Sequence, residues 1–156
     1  MQWISLICSL GICFAGAGIS GSQTAKEIPG WYRSLVRPSI APPNWVFGPV
    51  WTLLYALMAM AAWRVWEAPP SQLRTLGLAL YLVQLTLNFA WSQIFFRYHA
   101  LGAALAEVAI LWIAIGATTL VFSRVVASAA WMMAPYWTWV SFASILNAAF
   151  WLLNRV

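Results

Sequence analysis

Long apolar runs, broken only by a few short polar stretches, constrain this chain more than any other feature. Of its 156 residues, 63% are hydrophobic and 7% are charged, whereas a soluble domain carries roughly a quarter charged residues. A helix needs about 20 apolar residues to cross the hydrocarbon core of a bilayer. Because a backbone inside lipid must satisfy its own hydrogen bonds, the runs predict an all-α integral membrane protein.

Five of these runs are long enough to span, and they predict a five-transmembrane-helix bundle that forms one domain over residues 1–156. The spans are expected at about 2–20, 44–66, 73–96, 101–122 and 128–153. Three of the four connections are short, so consecutive helices should be antiparallel neighbours. The first connection, about 21–43, is long and is rich in proline.

The first run also has features of a cleaved signal peptide, because FAGAG (14–18) offers small residues near a cleavage point. No Lys or Arg precedes the run, however, and a signal peptide normally has a basic start. We therefore expect a retained helix.

Basic residues predict the orientation of the spans. The side with the first connection and the C-terminus would hold Lys26, Arg33, Arg37, Arg97 and Arg155, and the other side Arg64, Arg74 and Arg124. The positive-inside rule then places the C-terminus and the first connection together in the cytoplasm. The rule applies to an inner membrane, and the sequence leaves a bacterial outer membrane open.

The composition excludes several kinds of catalytic site. There is no Asp, and the titratable residues Glu27, Glu67, Glu107 and His99 cannot build a catalytic triad, a carboxylate dyad or a His-rich metal centre. We expect no metal site and no required cofactor. The basic residues are scattered singly, without the patch that nucleic-acid binding needs.

Polar residues inside the spans have two interpretations. Gln84, Asn88 and Trp91 fall at i, i+4 and i+7 and share one helical face, which either bonds to neighbouring helices or faces a ligand. Glu107 lies inside the fourth span, where a charge is costly, but a proton relay would need a second buried titratable group. The pairs Gly102 with Ala106 and Gly11 with Ala15 permit a homodimer without requiring one.

Three tryptophans lie inside spans rather than at their ends: Trp51, Trp91 and Trp139, one in each of three helices. Indoles near span ends are typical interfacial anchors, which does not explain these three. Together with Tyr32, Tyr55 and Phe95 they either line one flat apolar cavity or pack as ordinary core aromatics.

Three blocks of sequence resemble the tryptophan-rich sensory protein family, also called translocator protein or peripheral-type benzodiazepine receptor (TspO/MBR). They are WYRSLVRPSIAPPNWVFGPVWTLLYALM (31–58), NFAWSQIFF (88–96) and APYWTWVSFASILNAAFWLLN (134–154). Their order and spacing fit five spans and cover nearly the whole chain. The chain is thus identified as a bacterial member of this family.

The resemblance implies a pocket beneath the first connection, between the first, second, third and fifth spans. This pocket would bind porphyrins such as protoporphyrin IX and haem, and isoquinoline carboxamide or benzodiazepine ligands. By motif, its lining would be Tyr32, Pro42, Trp51, Tyr55, Asn88, Trp91, Phe95, Trp139, Ala143 and Leu146. Prolines restrict the backbone, so Pro38, Pro42 and Pro43 would stiffen the connection as a lid. Sterol binding is expected to be weak, because LNAAFWLLNR (146–155) has Phe150 where the family's sterol motif has tyrosine.

Three functions follow from this resemblance. The first is a membrane sensor, buffer or regulator that binds a tetrapyrrole during oxidative or light stress. The second is light-dependent porphyrin degradation, an enzymatic role that would use Trp51 and Trp139 in the way implied for those positions in some bacterial members. The third is a transporter of porphyrin or sterol. The first is the leading expectation, because a flat macrocycle stacks well between indoles and Lys26, Arg33 or Arg37 could meet its propionates.

Overall fold

Helices make up nearly all of the structure. The computed structural model describes residues 2–155, apart from the side chains of Gln2 and Gln23. The helices are α1 (Gln2–Glu27), α2 (Trp31–Ser34), α3 (Phe47–Trp66), α4 (Gln72–Ser92), α5 (Leu101–Val125) and α6 (Ala127–Asn154). A 3-10 turn over Asn44–Val46 leads into α3, and a π-helical turn over Gln93–Arg97 continues α4. No strand occurs between residues 2 and 155.

Four helical stretches are long and apolar enough to cross a membrane. They are Trp3–Glu27, Asn44–Trp66, Gln72–Arg97 and Leu101–Val125. Helix α6 has 28 residues, a length of about 42 Å, and it contains Pro135 and many aromatic and hydroxyl side chains. The all-helical membrane fold is therefore confirmed, whereas among residues 2–155 four helical stretches, without α6, are long and apolar enough to span rather than the five predicted.

The boundaries of the first span differ most from the prediction. Helix α1 continues to Glu27 instead of ending near residue 20, because GSQTAKE is polar but contains no proline, and a single glycine is tolerated inside a helix. The hydroxyls of Ser22 and Thr24 bond to the carbonyls of Ile19 and Ser20, one turn back. Pro29 and Gly30 then end the helix, and the first connection shortens to residues 28–43.

The long helices pack as a ring. Helix α3 lies between α1 and α6, and α5 lies between α6 and α4. Met58, Ile115 and Tyr136 have no exposed surface and mark the centre of the core. Helix α1 is the outer member, and only a small share of its surface is buried.

Glycines permit close packing inside this ring. A Cβ atom on Gly102 would lie 3.0 Å from the indole nitrogen of Trp151, and one on Gly116 would lie 2.7 Å from the ring of Trp137. Gly102 therefore serves contacts within the chain, between α5 and α6. A Cβ on Gly11 would meet nothing within 4 Å, and the homodimer stays a prediction.

The π-helical turn places two consecutive aromatic side chains in the interior. Phe95 and Phe96 are 3% and 9% exposed and their ring centroids are 4.7 Å apart. An ordinary helix turns neighbouring residues about 100° apart, and the wider π turn changes this spacing. His99 follows with a φ of 54° and turns the chain into α5.

Replacing Gly16 with Ala should destabilise the protein. A Cβ on Gly16 would lie 1.9 Å from the Phe89 ring of α4, so α1 and α4 must separate at a cost of about 1 to 3 kcal/mol. Thermal unfolding in detergent measures the effect. Gly18→Ala is the matched control, because a Cβ on Gly18 meets nothing within 4 Å and alanine favours the helix. Equal melting temperatures for the two variants would contradict this packing.

Candidate functional site

A cavity of about 470 Å³ lies between the helices beneath the first connection. Its wall comes from α1, α3, the end of α4 and α6, and from the connection itself. The lining residues are Phe14, Ala17, Ser20, Gly21, Thr24, Ala25, Ile28, Tyr32, Asn44, Trp45, Phe47, Gly48, Trp51, Thr52, Tyr55, Trp91, Ser92, Phe95, Phe96, Trp139, Ala143, Leu146, Asn147 and Phe150. No charged side chain is among them, so the described wall is apolar with a few neutral polar groups.

Three tryptophans from three helices face this space. Trp51 of α3 packs on Tyr55, with ring centroids 5.4 Å apart, and Trp91 of α4 packs on Phe95 at 5.1 Å. Trp139 of α6 meets Phe47 edge to face at 6.0 Å. Because each indole is held by a second aromatic ring, the wall presents fixed planar surfaces.

Tyr32 covers the cavity from the short helix α2. It is 5% exposed and packs on the rings of Phe96 and Phe150 at 5.7 and 5.3 Å. Burial raises the pKa of the Tyr32 phenol, and the charge of Arg37 opposes this only in part. The phenol is therefore neutral at physiological pH and can donate a hydrogen bond.

Side chains from distant parts of the chain hold the first connection at two points, Val36 and Trp31. The Asn154 side chain, at the end of α6, accepts a hydrogen bond from the backbone N–H of Val36 at 2.8 Å and donates to its carbonyl at 3.1 Å. Arg37 donates to the carbonyl of Pro42 at 2.8 Å. The last helix thus ends beside the first connection and holds it over the cavity.

The other end of the connection is held by His99. Its imidazole stacks on Trp31 with centroids 4.0 Å apart, and its Nε2 lies 3.1 Å from a carboxylate oxygen of Glu27. The end of α1, the start of α2 and the turn before α5 therefore meet at one histidine.

A chain of hydrogen bonds supports the cavity from below. Tyr55 donates to Asn88 Oδ1 at 2.6 Å, and Asn88 Nδ2 donates to the Tyr136 oxygen at 3.0 Å. Trp91 Nε1 donates to Asn147 Oδ1 at 3.1 Å, and Asn147 Nδ2 donates to the Leu101 carbonyl at 3.0 Å. Helices α3, α4 and α6 are joined in this way behind the aromatic wall.

Eight of the ten residues predicted from the sequence to bind ligand line the cavity: Tyr32, Trp51, Tyr55, Trp91, Phe95, Trp139, Ala143 and Leu146. Pro42 and Asn88 are not among the lining residues. Pro42 bonds to Arg37 within the connection, and Asn88 lies behind Tyr55. The ligand-binding role of all ten stays a prediction.

Both interpretations of the polar face of α4 hold, each for a different part of it: one part bonds to neighbouring helices and the other faces the cavity. Gln84 and Asn88 are buried, at 0% and 4% exposure, and Asn88 bonds to neighbouring helices. Trp91, one turn further on, faces the cavity. Glu107 of α5 is also buried, outside the lining, and both its oxygens lack a hydrogen-bond partner among the described residues.

The resemblance implies that the first helix takes part in the pocket, but no residue of α1 was named from the sequence. Ala17, Ser20, Gly21 and Thr24 line the cavity, and so does Ile28 just after the helix. Their spacing of three to four residues marks one helical face, but that face is small and weakly polar. The apolar run alone predicts a span and not a binding wall.

Together, the fold and the site define a multi-pass helical membrane protein with an aromatic cavity capped by its first connection. A sequence model described as the TspO/MBR family matches residues 9–152, and the chain belongs to that family. The resemblance found in the sequence is thereby confirmed.

Three relatives cover almost the whole chain. The tryptophan-rich protein TspO of Chlorobaculum tepidum is 39% identical, with 98% of both chains aligned. The human translocator protein is 36% identical over 97% of this chain and 88% of its own. The tryptophan-rich sensory protein of Cereibacter sphaeroides is 36% identical over 94% of this chain and 89% of its own.

Replacing Asn88 with Leu should lower stability by about 1 to 3 kcal/mol, the usual cost of leaving buried hydroxyls unpaired. The change removes the partner of Tyr55 and of Tyr136 at nearly constant volume. Thermal unfolding in detergent is the measurement. Thr86→Val serves as the control, since Thr86 is exposed on the same helix and bonds only to the carbonyl one turn back. An Asn88→Leu variant as stable as the control would show that the hydrogen bonds contribute nothing.

Proposed function

We propose that this protein binds a tetrapyrrole, first of all protoporphyrin IX, in the aromatic cavity, and acts as a membrane sensor or buffer of that ligand. The observation that carries the proposal is the convergence of Trp51, Trp91 and Trp139 on one space. A flat macrocycle gains most from planar aromatic surfaces, and about 470 Å³ is within the usual size of ligand pockets.

The distribution of charge supports a ligand with an apolar body and acidic edges. The described lining is uncharged, whereas Lys26, Arg33 and Arg37 lie at the end of the bundle that carries the first connection. The Arg37 guanidinium lies 5.9 Å from the ring centre of Tyr32, which lines the cavity. The macrocycle would occupy the cavity, and its propionates would meet cations at the rim.

Among the tetrapyrroles, the lining favours a metal-free porphyrin. Histidine, cysteine and methionine, three common side chains that hold a haem iron, are absent from the described lining. Tyrosine also ligates haem iron as a phenolate, but the Tyr55 hydroxyl in the wall donates to Asn88 and the buried Tyr32 phenol is protonated. His99 is engaged with Trp31 and Glu27, and Cys13 lies 3.0 Å from the Tyr81 hydroxyl. Haem would be held by the faces of its ring, without strong axial ligation.

The sensory part of the proposal rests on the capped geometry. The residues that cap the cavity also contact the end of α6 and the turn before α5, so a ligand that displaces Tyr32 would alter the surface of the molecule at that end. The relative from Cereibacter sphaeroides is named a sensory protein, and we extend that role to this chain.

The proposal includes α6 as a fifth span. Its 28 residues are long enough, and its contacts with both α3 and α5 place it inside the bundle. Five spans put the first connection and the C-terminus on one side, as the contact between Asn154 and Val36 requires. The basic residues then favour the cytoplasmic side of an inner membrane.

Isoquinoline carboxamide or benzodiazepine ligands would use the same cavity, since they too are flat and largely apolar. Sterols should bind weakly. Phe150, at the position of the sterol-motif tyrosine, is 1% exposed and packs against Tyr32 instead of facing lipid.

Dark titration with protoporphyrin IX, followed by quenching of tryptophan fluorescence in the purified protein, tests the proposal. We expect saturable binding with a dissociation constant near 1 μM, which corresponds to about 8 kcal/mol. Ala143→Leu should weaken binding about tenfold or more, because it fills the cavity. Ala109→Leu, on the exposed face of α5, should leave binding unchanged. Quenching that does not saturate, and that is the same in the unaltered protein and in Ala143→Leu, would overturn the proposal.

A second function, light-dependent degradation of the porphyrin, is favoured by the positions of Trp51 and Trp139 in the cavity wall. An excited porphyrin would take an electron from an indole or transfer energy to dioxygen, the oxidant of the reaction. Neither step needs acid-base or metal machinery.

Illumination of the bound complex in air separates the two functions. If degradation is catalysed, Trp51→Phe and Trp139→Phe should slow the loss of porphyrin absorbance about tenfold while binding in the dark changes little. Trp131→Phe is the control, because Trp131 is 78% exposed and outside the lining. Equal rates in the unaltered protein and the three variants would show that the bound porphyrin decays by its own photochemistry, without catalysis by Trp51 or Trp139.

A further inference from the structure

His99 joins three parts of the capped end that lie far apart in the sequence. Its imidazole stacks on Trp31, with ring centroids 4.0 Å apart and an angle of 14° between the planes. Its Nε2 lies 3.1 Å from a carboxylate oxygen of Glu27. Glu27 is the last residue of α1 and Trp31 is the first of α2, whereas His99 precedes α5. We call this contact of three side chains the latch.

The backbone at His99 is in a conformation that most residues avoid. Its φ of 54° lies in the left-handed region, where a residue other than glycine is uncommon. A conformation of this kind costs energy, persists only where the surrounding structure fixes it, and is found most often at functional sites. The turn before α5 therefore holds the imidazole against α1 and α2 at an energetic cost.

Both partners of the imidazole bind it more strongly when it is charged. A carboxylate forms an ion pair with an imidazolium, and the face of an indole attracts a cation. Glu27 also lies at the carboxyl end of α1, where the partial negative charge of the last carbonyls adds to its own. Histidine is the side chain that ordinarily changes charge between about pH 5 and 8. The contacts of the latch therefore strengthen when His99 takes up a proton.

Other cationic side chains of the surrounding elements do not take the place of His99. They are Lys26, Arg33, Arg37, Arg97 and Arg155. Within the described part of the chain, none of them lies at ion-pair distance from Glu27. The guanidinium carbon of Arg97 lies 5.8 Å from the centre of the Tyr98 ring. The remaining titratable groups on these elements are the phenols of Tyr32 and Tyr98 and the carboxyl group of Glu107, which lies inside α5.

The latch is connected to the cover of the cavity. Trp31 is followed by Tyr32, which lines the cavity and is 5% exposed. The Trp31 ring also meets Phe95 of the cavity wall edge to face at 5.9 Å. Because Trp31 and Tyr32 share the short helix α2, a movement of α2 that lifts Tyr32 must also break the stack between Trp31 and His99.

We infer that protonation of His99 closes the latch and slows the release of ligand from the cavity, whereas loss of the proton loosens the cover. The identity of the released ligand rests on the proposed function, but the contacts of the latch exist without it. Since the basic residues favour the cytoplasm for the capped end, the latch would respond to cytoplasmic pH. The cover is tightest in the acidic part of the range.

Release of protoporphyrin IX in the dark tests the latch. The purified complex is mixed with excess dioleoylphosphatidylcholine vesicles, and stopped-flow fluorescence follows the release at about pH 5.5 and about pH 8. The unaltered protein should release porphyrin about three- to fivefold more slowly than His99→Asn at the lower pH, and within about twofold of it at the higher. Asparagine does not titrate and tolerates the left-handed backbone. Comparison at equal pH cancels the titration of the propionates.

Glu27→Gln is a second variant, which keeps the imidazole and its stack but removes the negative charge. Its release at the lower pH should be slower than that of His99→Asn by about twofold or less. Arg97→Gln is the matched control, because it removes a charge from the same turn, outside the latch, and it should behave as the unaltered protein does. Circular dichroism shows whether each variant is folded, and Glu27→Gln gives an independent reading if His99→Asn is not.

A measurement without ligand tests the latch independently of the proposed function. Amide hydrogen exchange of residues 31–36 reports local opening of the cover. At about pH 5.5, exchange should be about three- to fivefold slower in the unaltered protein than in His99→Asn, and at about pH 8 the two should agree within about twofold. The chemical rate of exchange cancels, because the two proteins are compared at equal pH.

The outcomes separate the two proposals. Absence of saturable porphyrin binding overturns the proposed function, and the exchange measurement then still decides the latch. Equal exchange in the unaltered protein and in His99→Asn at the lower pH overturns the latch, whether or not porphyrin binds. Equal release rates in these two proteins at the lower pH overturn it as well, and so does an Arg97→Gln variant that releases porphyrin as fast as His99→Asn.

Discussion

The architecture depends on one hydrogen-bonded chain in the membrane interior, from Tyr55 through Asn88 to Tyr136. An amide without partners in hydrocarbon is costly, whereas one that bonds to two neighbouring helices holds them at a fixed distance. Asn88 joins α4 to α3 and α6 in this way. Trp51, Trp91 and Trp139 lie on these same helices, so their separation is set by the hydrogen bonds next to them.

Helix α1 is held less firmly than α3, α4 and α6, which are joined by buried side-chain hydrogen bonds. This difference gives the cavity its shape. Helix α1 is bonded to α3 through Ser5 and Ser9 at one end and leans on Phe89 and His99 toward the other. The cavity wall on α3, α4 and α6 is therefore joined by side-chain hydrogen bonds, whereas the lining residues Phe14, Gly21 and Ala25 of α1 are exposed.

The sequence predicted the aromatic wall better than it predicted the smaller residues around it. Trp51, Trp91 and Trp139 line the cavity, one of the two arrangements that their positions inside spans allowed, and Ala143, carried over from the family motif, lines it too. Pro42 and Asn88 were expected in the lining and are not there. The resemblance implied that the first helix takes part, but no residue of α1 was named, since small residues such as Gly21 and Ala25 carry no pattern that separates a cavity wall from a lipid-facing surface.

By itself, the sequence determined that the protein lies in a lipid bilayer and that its fold is all-helical. Apolar runs with so few charges can satisfy their backbone hydrogen bonds in a bilayer only as helices. It also determined which helices carry indoles in their interior. Tertiary structure alone decided that α1 runs on to Glu27, that Asn154 bonds to the backbone of Val36, and that Gly16 of α1 lies against Phe89 of α4. These features arise between residues far apart in the chain, where distance is set by the packing of whole helices and local pattern carries no information.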